Sequence, residues 1–227
     1  MMTGSVSTFA DVALNFGAPA VRGDSVLRVA AERGRRTVMY GDDTWLRLFP
    51  GLWSEYDGTT SFFVTDYTEV DNNVTRHLDT VLAPDDKNKP TFDFLVLHYL
   101  GLDHIGHLEG AQSPKIKPKL QEMDDVVKKI YTDRTGVLLL GGDHGMRDAG
   151  GHGGSSPAEV LVPLVVARTG DNLCPYKYVL IALGLTWKLK SKYSVIVIFT
   201  QLVIPNCFAV CTVSKTIRYA DLCTKTF

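Results

Sequence analysis

Two short segments of the sequence hold acidic and histidine side chains at spacings suited to a metal ion. Asp103 and His107 are four residues apart, so one helical turn or a tight loop would bring both side chains to one face. Asp143 and His144 are adjacent and flanked by glycines, and His152 follows in a second glycine-rich stretch. Carboxylates and imidazoles are common zinc ligands, and a catalytic zinc site keeps one position for water or substrate. The sequence therefore predicts a metal site.

Each segment alone also has a simpler interpretation. An Asp and a His four residues apart are common on helix surfaces, and Asp-His-Gly is common in turns. The combination favours a metal site, because four of the six histidines fall in these two glycine-flanked segments. We expect His104 to point away from Asp103 and His107, and His77 and His98 to be structural.

The elements that would position these segments alternate between helices and short apolar strands. In chain order the patterns predict helix 24–34, strand 37–40, helix 69–82, strand 92–100, helix 115–131, strand 137–140 and strand 160–166. This alternation indicates right-handed crossovers and an α/β fold, in which helices cover both faces of a mostly parallel sheet. Both candidate segments directly follow predicted strands, where ligands bind in such sheets.

Length and charge limit the classes of function. The chain has 227 residues and 45% hydrophobic content, enough for one sizeable core. Its 24 basic and 25 acidic residues form no basic block, which argues against nucleic acid as a partner. The first eleven residues lack the pattern of a signal peptide. We expect one main domain over residues 1–168 and a hydrophobic tail over 169–227, in which 194–213 is a marginal candidate for a membrane span.

The combined motifs resemble a known superfamily. The residues that carry this resemblance are Asp103, Gly106 and His107, then Gly142, Asp143, His144, Gly145 and Met146, and finally His152. They resemble the two-metal signature of the alkaline phosphatase and nucleotide pyrophosphatase superfamily. The segments 40–45, 56–63, 65–74 and 98–107 narrow the match, because they resemble the GPI ethanolamine phosphate transferases, most closely the type 2 members. The likeness runs from about Thr3 to Ala167.

The resemblance implies an activity and a set of partners. Such enzymes transfer phosphoethanolamine from phosphatidylethanolamine to a mannose of the GPI-anchor precursor, here the second mannose, on the lumenal side of the endoplasmic reticulum membrane. A membrane-bound partner subunit is also implied. The segment Asn73-Val74-Thr75 is an N-glycosylation sequon, so a lumenal domain would be glycosylated at Asn73.

The resemblance also implies two zinc ions. Asp103, His107 and His152 would hold one ion, and Asp143 with His144 would hold the other. The family's nucleophilic threonine and a further metal-binding aspartate lie upstream of the Met-Thr-Gly segment at the start of this sequence. We therefore expect an N-terminally truncated, inactive or incomplete form that keeps one zinc ion. Two alternatives stay open: a non-catalytic fragment that binds one zinc ion, and a soluble metal-dependent phosphodiesterase of the same superfamily.

Overall fold

A six-stranded sheet forms the centre of the computed structural model, which describes residues 2–3, 20–84, 91–133, 135–169 and 194–199. The strands are β1 (Thr37–Asp42), β2 (Glu55–Thr59), β3 (Phe94–His98), β4 (Gly136–Gly141), β5 (Leu164–Thr169) and β6 (Ser194–Phe199). Their order across the sheet is β2-β1-β3-β6-β4-β5. Every neighbouring pair is parallel except β4 with β5. The predicted mostly parallel sheet is therefore confirmed.

Helices lie between the strands along the described parts of the chain. They are α1 (Val26–Glu32), α2 (Thr44–Leu48), α3 (Glu69–Thr75), α4 (Leu78–Val81), α5 (Gly101–Glu109), α6 (Ile116–Asp133) and α7 (Pro157–Val160). The single helix predicted over 69–82 is two helices, α3 and α4, which are separated by Arg76 and His77. At this break the His77 ring stacks on Tyr40 with centroids 4.1 Å apart, which ties the break to β1.

Apolar side chains cover the sheet on both faces because successive strand residues point in opposite directions. On one face, Val38 and Leu95 pack with buried side chains of α3, α4 and α6. On the other face, Met39 and Val96 pack with Leu27 of α1 and with side chains of α2. All five of these side chains are fully buried. Burying an apolar side chain of this size contributes about 1.5–3 kcal/mol, so the two layers fix the strands that lead to the candidate site.

Strands β2 and β5 differ from the sequence-based prediction. Strand β2 was not predicted because it is a mostly exposed edge strand with the sequence Glu-Tyr-Asp-Gly-Thr, which contains no apolar run. The strand expected at 160–166 begins only at Leu164, since Ser156 and Glu159 form a capping box that starts α7 at Pro157. Strand β5 then runs antiparallel to β4.

The described part of the predicted tail belongs to the sheet. Strand β6 lies between β3 and β4 and pairs in parallel with both. Residues 194–199 of the candidate membrane span are therefore a strand, and residues 200–213 lie outside the described residues. Within the described ranges, no helix combines the length and the apolar character needed to cross a membrane. The domain boundary at residue 168 stays a prediction.

Candidate metal centre

Two residues separate β3 from helix α5, which carries the first pair of predicted ligands. Its geometry brings His107 Nε2 to 3.4 Å from Asp103 Oδ1. The loop that follows β4 brings His152 to the same place, with its Nε2 3.5 Å from the same carboxylate oxygen. The rings of His107 and His152 are 4.8 Å apart. Asp103, His107 and His152 are thus brought together at the carboxyl edge of the sheet.

The carboxylate of Asp103 is suited to a cation. Its Oδ1 is buried and accepts no hydrogen bond from any residue that the structure describes, although two imidazole nitrogens lie within 3.5 Å. A buried polar atom without a hydrogen bond costs about 1–3 kcal/mol, and more when it is charged. A metal ion would satisfy this oxygen and both nitrogens at once. The donor set therefore fits a metal ion.

His144 joins the cluster from the loop that follows β4. Its ring stacks on that of His152, with centroids 3.5 Å apart. One ligand atom from each of Asp103, His144 and His152 lies within 4.8 Å of the other two, which makes these residues a candidate metal-binding triad. The Nδ1 of His144 lies 3.0 Å from the Gly145 carbonyl oxygen. A proton on Nδ1 would donate to this carbonyl and leave Nε2 as the metal-binding nitrogen.

The protonation of His152 also suits a metal site. Burial lowers the pKa of His152, and the neighbouring His144 lowers it further. A neutral imidazole is the form that binds metal ions, so no proton must first be displaced. The stacking of the His144 and His152 rings also favours neutral imidazoles, because two imidazolium cations would repel each other at this distance.

Asp143 lies between the metal cluster and the end of β3. Its Oδ2 is 3.4 Å from His144 Nε2 and 3.6 Å from His98 Nε2. Burial acts to raise the pKa of Asp143, but the imidazoles of His98 and His144 outweigh burial and lower the pKa to about 2. Asp143 is therefore an ionised carboxylate at neutral pH, as a metal ligand must be.

His98, which we expected to be structural, lies at the end of β3 and faces the Asp143 carboxylate. The indole Nε1 of Trp45 donates a hydrogen bond to His98 Nδ1 at 3.1 Å. An indole nitrogen can only donate, so Nδ1 of the imidazole must accept and its proton must lie on Nε2. This Nε2 is the nitrogen that faces Asp143. No short motif links Trp45 with His98, which are 53 residues apart, so only the fold reveals the pair.

Two glycines allow the ligand-bearing segments to pack closely. A β-carbon at Gly106 would lie 2.2 Å from the sulfur of Met146. The absence of a side chain at Gly106 therefore lets α5 pack against Met146 in the loop after β4. A β-carbon at Gly145 would lie 2.0 Å from the carbonyl oxygen of Ala158, a backbone atom of α7. Any side chain at position 145 would therefore push α7 away from the site.

Glu159 fixes the loop that carries His152, and the sequence analysis missed it. Its carboxylate accepts hydrogen bonds from the backbone N–H of Gly154 at 2.9 Å and from the Ser156 hydroxyl at 2.6 Å. Its own carbonyl oxygen accepts from the N–H of Gly145 at 2.8 Å. The bonds from Ser156 and Gly154 lower the pKa of Glu159. The spacing of Ser156 and Glu159 is a capping-box signal that could have identified it.

The remaining predicted positions lie apart from this cluster. His104 is buried, and its Nδ1 lies 2.7 Å from the carbonyl oxygen of Asp66. His77 contacts Asp57, with its Nε2 2.8 Å from the carboxylate. Asn73 is half-buried on α3, and its role as a glycosylation site stays a prediction.

Comparison with known proteins supports the resemblance. The chain is 54% identical over 184 residues to the human GPI ethanolamine phosphate transferase 2, catalytic subunit, which covers 77% of this chain and 18% of that protein. It is 49% identical over 174 residues to GPI ethanolamine phosphate transferase 2 of Yarrowia lipolytica, covering 74% of this chain and 20% of the relative. With the Schizosaccharomyces pombe protein of that name, identity is 44% over 187 residues, which is 76% of this chain and 24% of the relative.

These matches define the family but not the whole protein. The chain spans about a fifth of the length of the curated relatives it matches. No solved structure matches it. Residues 10–162 match the family model described as type I phosphodiesterase / nucleotide pyrophosphatase, which includes every predicted metal ligand. The chain belongs to the type I phosphodiesterase / nucleotide pyrophosphatase family.

Proposed function

We propose that this chain supplies the metal-binding part of an enzyme that transfers phosphoethanolamine from phosphatidylethanolamine to the second mannose of the GPI-anchor precursor. The observation that carries this proposal is the convergence of two carboxylates and three imidazoles at one edge of the sheet. The names of the relatives supply the reaction, because the three described above are GPI ethanolamine phosphate transferases 2.

We propose zinc as the metal, because imidazole and carboxylate donors suit it. Asp103, His107 and His152 would hold one ion, and Asp143 and His144 would contribute to a second. When bound, the ions stabilise negative charge on the phosphate oxygens during transfer. The close approach of His144 to His152 suggests that the two sites share one cluster.

Several neighbouring groups would keep these ligands in place. Helix α5 presents Asp103 and His107 on one face, and Glu159 holds the loop that carries His152. The hydrogen bond from Trp45 orients His98 toward the Asp143 carboxylate. Ligands whose positions are fixed in advance lose little conformational entropy when the metal and the phosphate bind.

The proposed reaction also implies a location and partners for the whole protein. We propose that it acts at the endoplasmic reticulum membrane, with the described domain on the lumenal side and Asn73 glycosylated. Its substrates would be phosphatidylethanolamine and the GPI precursor, and it would work with a membrane-bound partner subunit. The names of the relatives support this proposal, since they place the reaction in GPI-anchor synthesis.

A second candidate is hydrolysis of phosphodiesters, with water as the acceptor. The family match favours it, because the matching family is described as type I phosphodiesterase / nucleotide pyrophosphatase. Both candidates use the same metal ligands and differ in the group that accepts the phosphoryl unit. A zinc-loaded chain that hydrolyses bis(p-nitrophenyl) phosphate would support this second candidate.

Binding of the substrate headgroup tests the main proposal. Phosphoethanolamine is titrated into the zinc-loaded chain and into the metal-free chain while phosphorus NMR follows the phosphate. We expect binding only with zinc, and we expect Asp103→Ala to abolish it. Asp79→Ala is the control, because Asp79 is an exposed carboxylate on α4 that pairs with Lys129. Equal binding by both variants, or no binding by the zinc-loaded chain, would contradict the proposal.

A further inference from the structure

A buried carboxylate outside the metal cluster holds the beginning of α5. Asp71, on α3, has no solvent exposure. Its Oδ1 accepts hydrogen bonds from the backbone N–H groups of Leu100 and Gly101, both at 2.9 Å. Leu100 is the N-cap of α5 and has no side chain that could cap the helix, and Gly101 is the first helical residue. Asp71 therefore caps α5 from a distant part of the sequence.

The surroundings of Asp71 are shaped for this contact. A β-carbon at Gly101 would lie 2.3 Å from Asp71 Oδ2, so only glycine lets the carboxylate approach this closely. Lys119 of α6 is also buried, and its Nζ donates to the same Oδ2 at 3.1 Å. The Lys119 ammonium also donates to Glu122 at 3.0 Å. Three helices, α3, α5 and α6, are thus joined at one carboxylate.

Stability alone does not account for this arrangement. Moving two charges out of water is unfavourable, and apolar side chains of similar size often stabilise a protein as well as a buried ion pair. Burial raises the pKa of Asp71, whereas Lys119 and the two amide groups act in the opposite direction. A buried carboxylate therefore stabilises the core less than an apolar side chain would. Its specific effect is on the groups that it binds, the N–H groups of Leu100 and Gly101 and the ammonium of Lys119.

We infer that Asp71 is a positioning residue that orients Asp103 by fixing the first turn of α5. Asp103 comes two residues after Gly101 and lies in that first turn. A helix turns once every 3.6 residues, so a start displaced by one residue would rotate the ligand-bearing face by about 100°. The inference rests on the metal site proposed above, because it assigns to Asp71 a role in forming that site.

Two variants distinguish the hydrogen bonds that Asp71 accepts from the effect of its charge. Asp71→Asn combined with Lys119→Met keeps an oxygen that can accept from both N–H groups and removes the charge together with the ammonium that pairs with it. The second change is needed because the amide NH2 of asparagine alone would face the Lys119 ammonium, donor against donor. Asp71→Ala removes the acceptor and leaves two buried N–H groups without it. Val126→Ala is the control for general destabilisation, because Val126 is a buried core residue of α6 away from the cap.

The experiment measures amide hydrogen exchange in the metal-free full chain and zinc affinity by chelator competition. We expect Asp71→Ala to accelerate exchange selectively in α5 and to weaken zinc binding about 10- to 100-fold, the usual effect of losing a residue that orients a ligand. Asp71→Asn combined with Lys119→Met should stay close to wild type in both measurements. Val126→Ala should lose thermal stability without either change.

The outcomes distinguish this inference from the proposed metal site. If Asp71→Ala and Val126→Ala show the same α5 exchange and zinc affinity at matched losses of stability, Asp71 is merely structural and the inference is wrong. If wild-type chain binds no zinc, the metal site is wrong, and α5 exchange alone decides whether Asp71 fixes the helix. Should Asp71→Ala not fold, Asp71→Leu combined with Lys119→Met replaces the ion pair by apolar side chains and must show the same two defects.

Discussion

Replacing Trp45 by phenylalanine tests how the Asp143 carboxylate is oriented. Phenylalanine keeps an aromatic ring in the cluster with Phe49, whose ring is 5.9 Å from that of Trp45. It removes the N–H that donates to His98 Nδ1. Without this donor the His98 proton is no longer confined to Nε2, the nitrogen that faces Asp143. The substitution therefore changes Asp143 through His98 without touching a proposed ligand.

The expected loss of zinc affinity depends on the burial of His98, which is 9% exposed. Removing a hydrogen-bond donor from a buried partner costs about 1–3 kcal/mol. Residues that orient metal ligands usually change metal affinity 10- to 100-fold when replaced. This range corresponds to about 1.4–2.7 kcal/mol, which agrees with the cost of one such bond. We expect Trp45→Phe to weaken zinc binding at the Asp143 site by this factor.

Competition between the chain and a zinc chelator measures this affinity, and Trp53→Phe is the matched control. Trp53 packs edge-on against Trp45 with centroids 6.2 Å apart, and its Nε1 donates to the Trp45 carbonyl oxygen at 3.4 Å. The control thus makes the same chemical change in the same aromatic cluster without removing the donor to His98. Equal zinc affinities for the two variants would refute the role given to Trp45.

Three further predictions concern the loop, the tail and the sequon. The pKa of Glu159 is lowered from 4.5, so its carboxylate stabilises the fold above that pH and loses this contribution as the pH falls through the lowered value. Acid unfolding of Glu159→Gln should therefore depend less on pH below about 4.5 than that of wild type, and identical curves would count against the loop contacts. Deleting residues 170–227 removes β6 from between β3 and β4, and we expect loss of cooperative urea unfolding, whereas an unchanged midpoint would contradict this strand placement. When the chain is directed to the endoplasmic reticulum, we expect a glycosidase-sensitive mass increase that Asn73→Gln removes; a mass unaffected by glycosidase would show that the sequon is unused.

The sequence predicted the fold class and the segments of the site because both leave local signals. Wholly apolar runs such as residues 94–97 identify buried strands, and their alternation with helical periodicity predicts a parallel sheet. The spacing of Asp103 and His107 determines that they share a face once a helix forms. Glycines on either side of Asp143 and His144 indicate close packing, and the backbone contact at Gly145 explains it.

The residues that support the ligands could not be predicted in the same way. Asp71 and Leu100 are 29 residues apart, and Trp45 and His98 are 53 residues apart, so neither pair has a local spacing rule. Strand β2 is mostly exposed, so its sequence lacks the apolar pattern of a buried strand. It is a strand because it pairs with β1. Tertiary contacts, which a single sequence does not display, decide these three features.

The zinc content of the purified chain tests the central claim most directly. Asp103 and His107 lie on α5 and His152 lies on the loop after β4, and both imidazoles are within 3.5 Å of the Asp103 carboxylate. We predict at least one tightly bound zinc ion per chain by elemental analysis, and its loss when His107→Ala and His152→Ala are combined. His77→Ala is the control, because His77 contacts Asp57 and Tyr40 instead. A wild-type chain without zinc, or a double variant that retains all of it, would contradict the account.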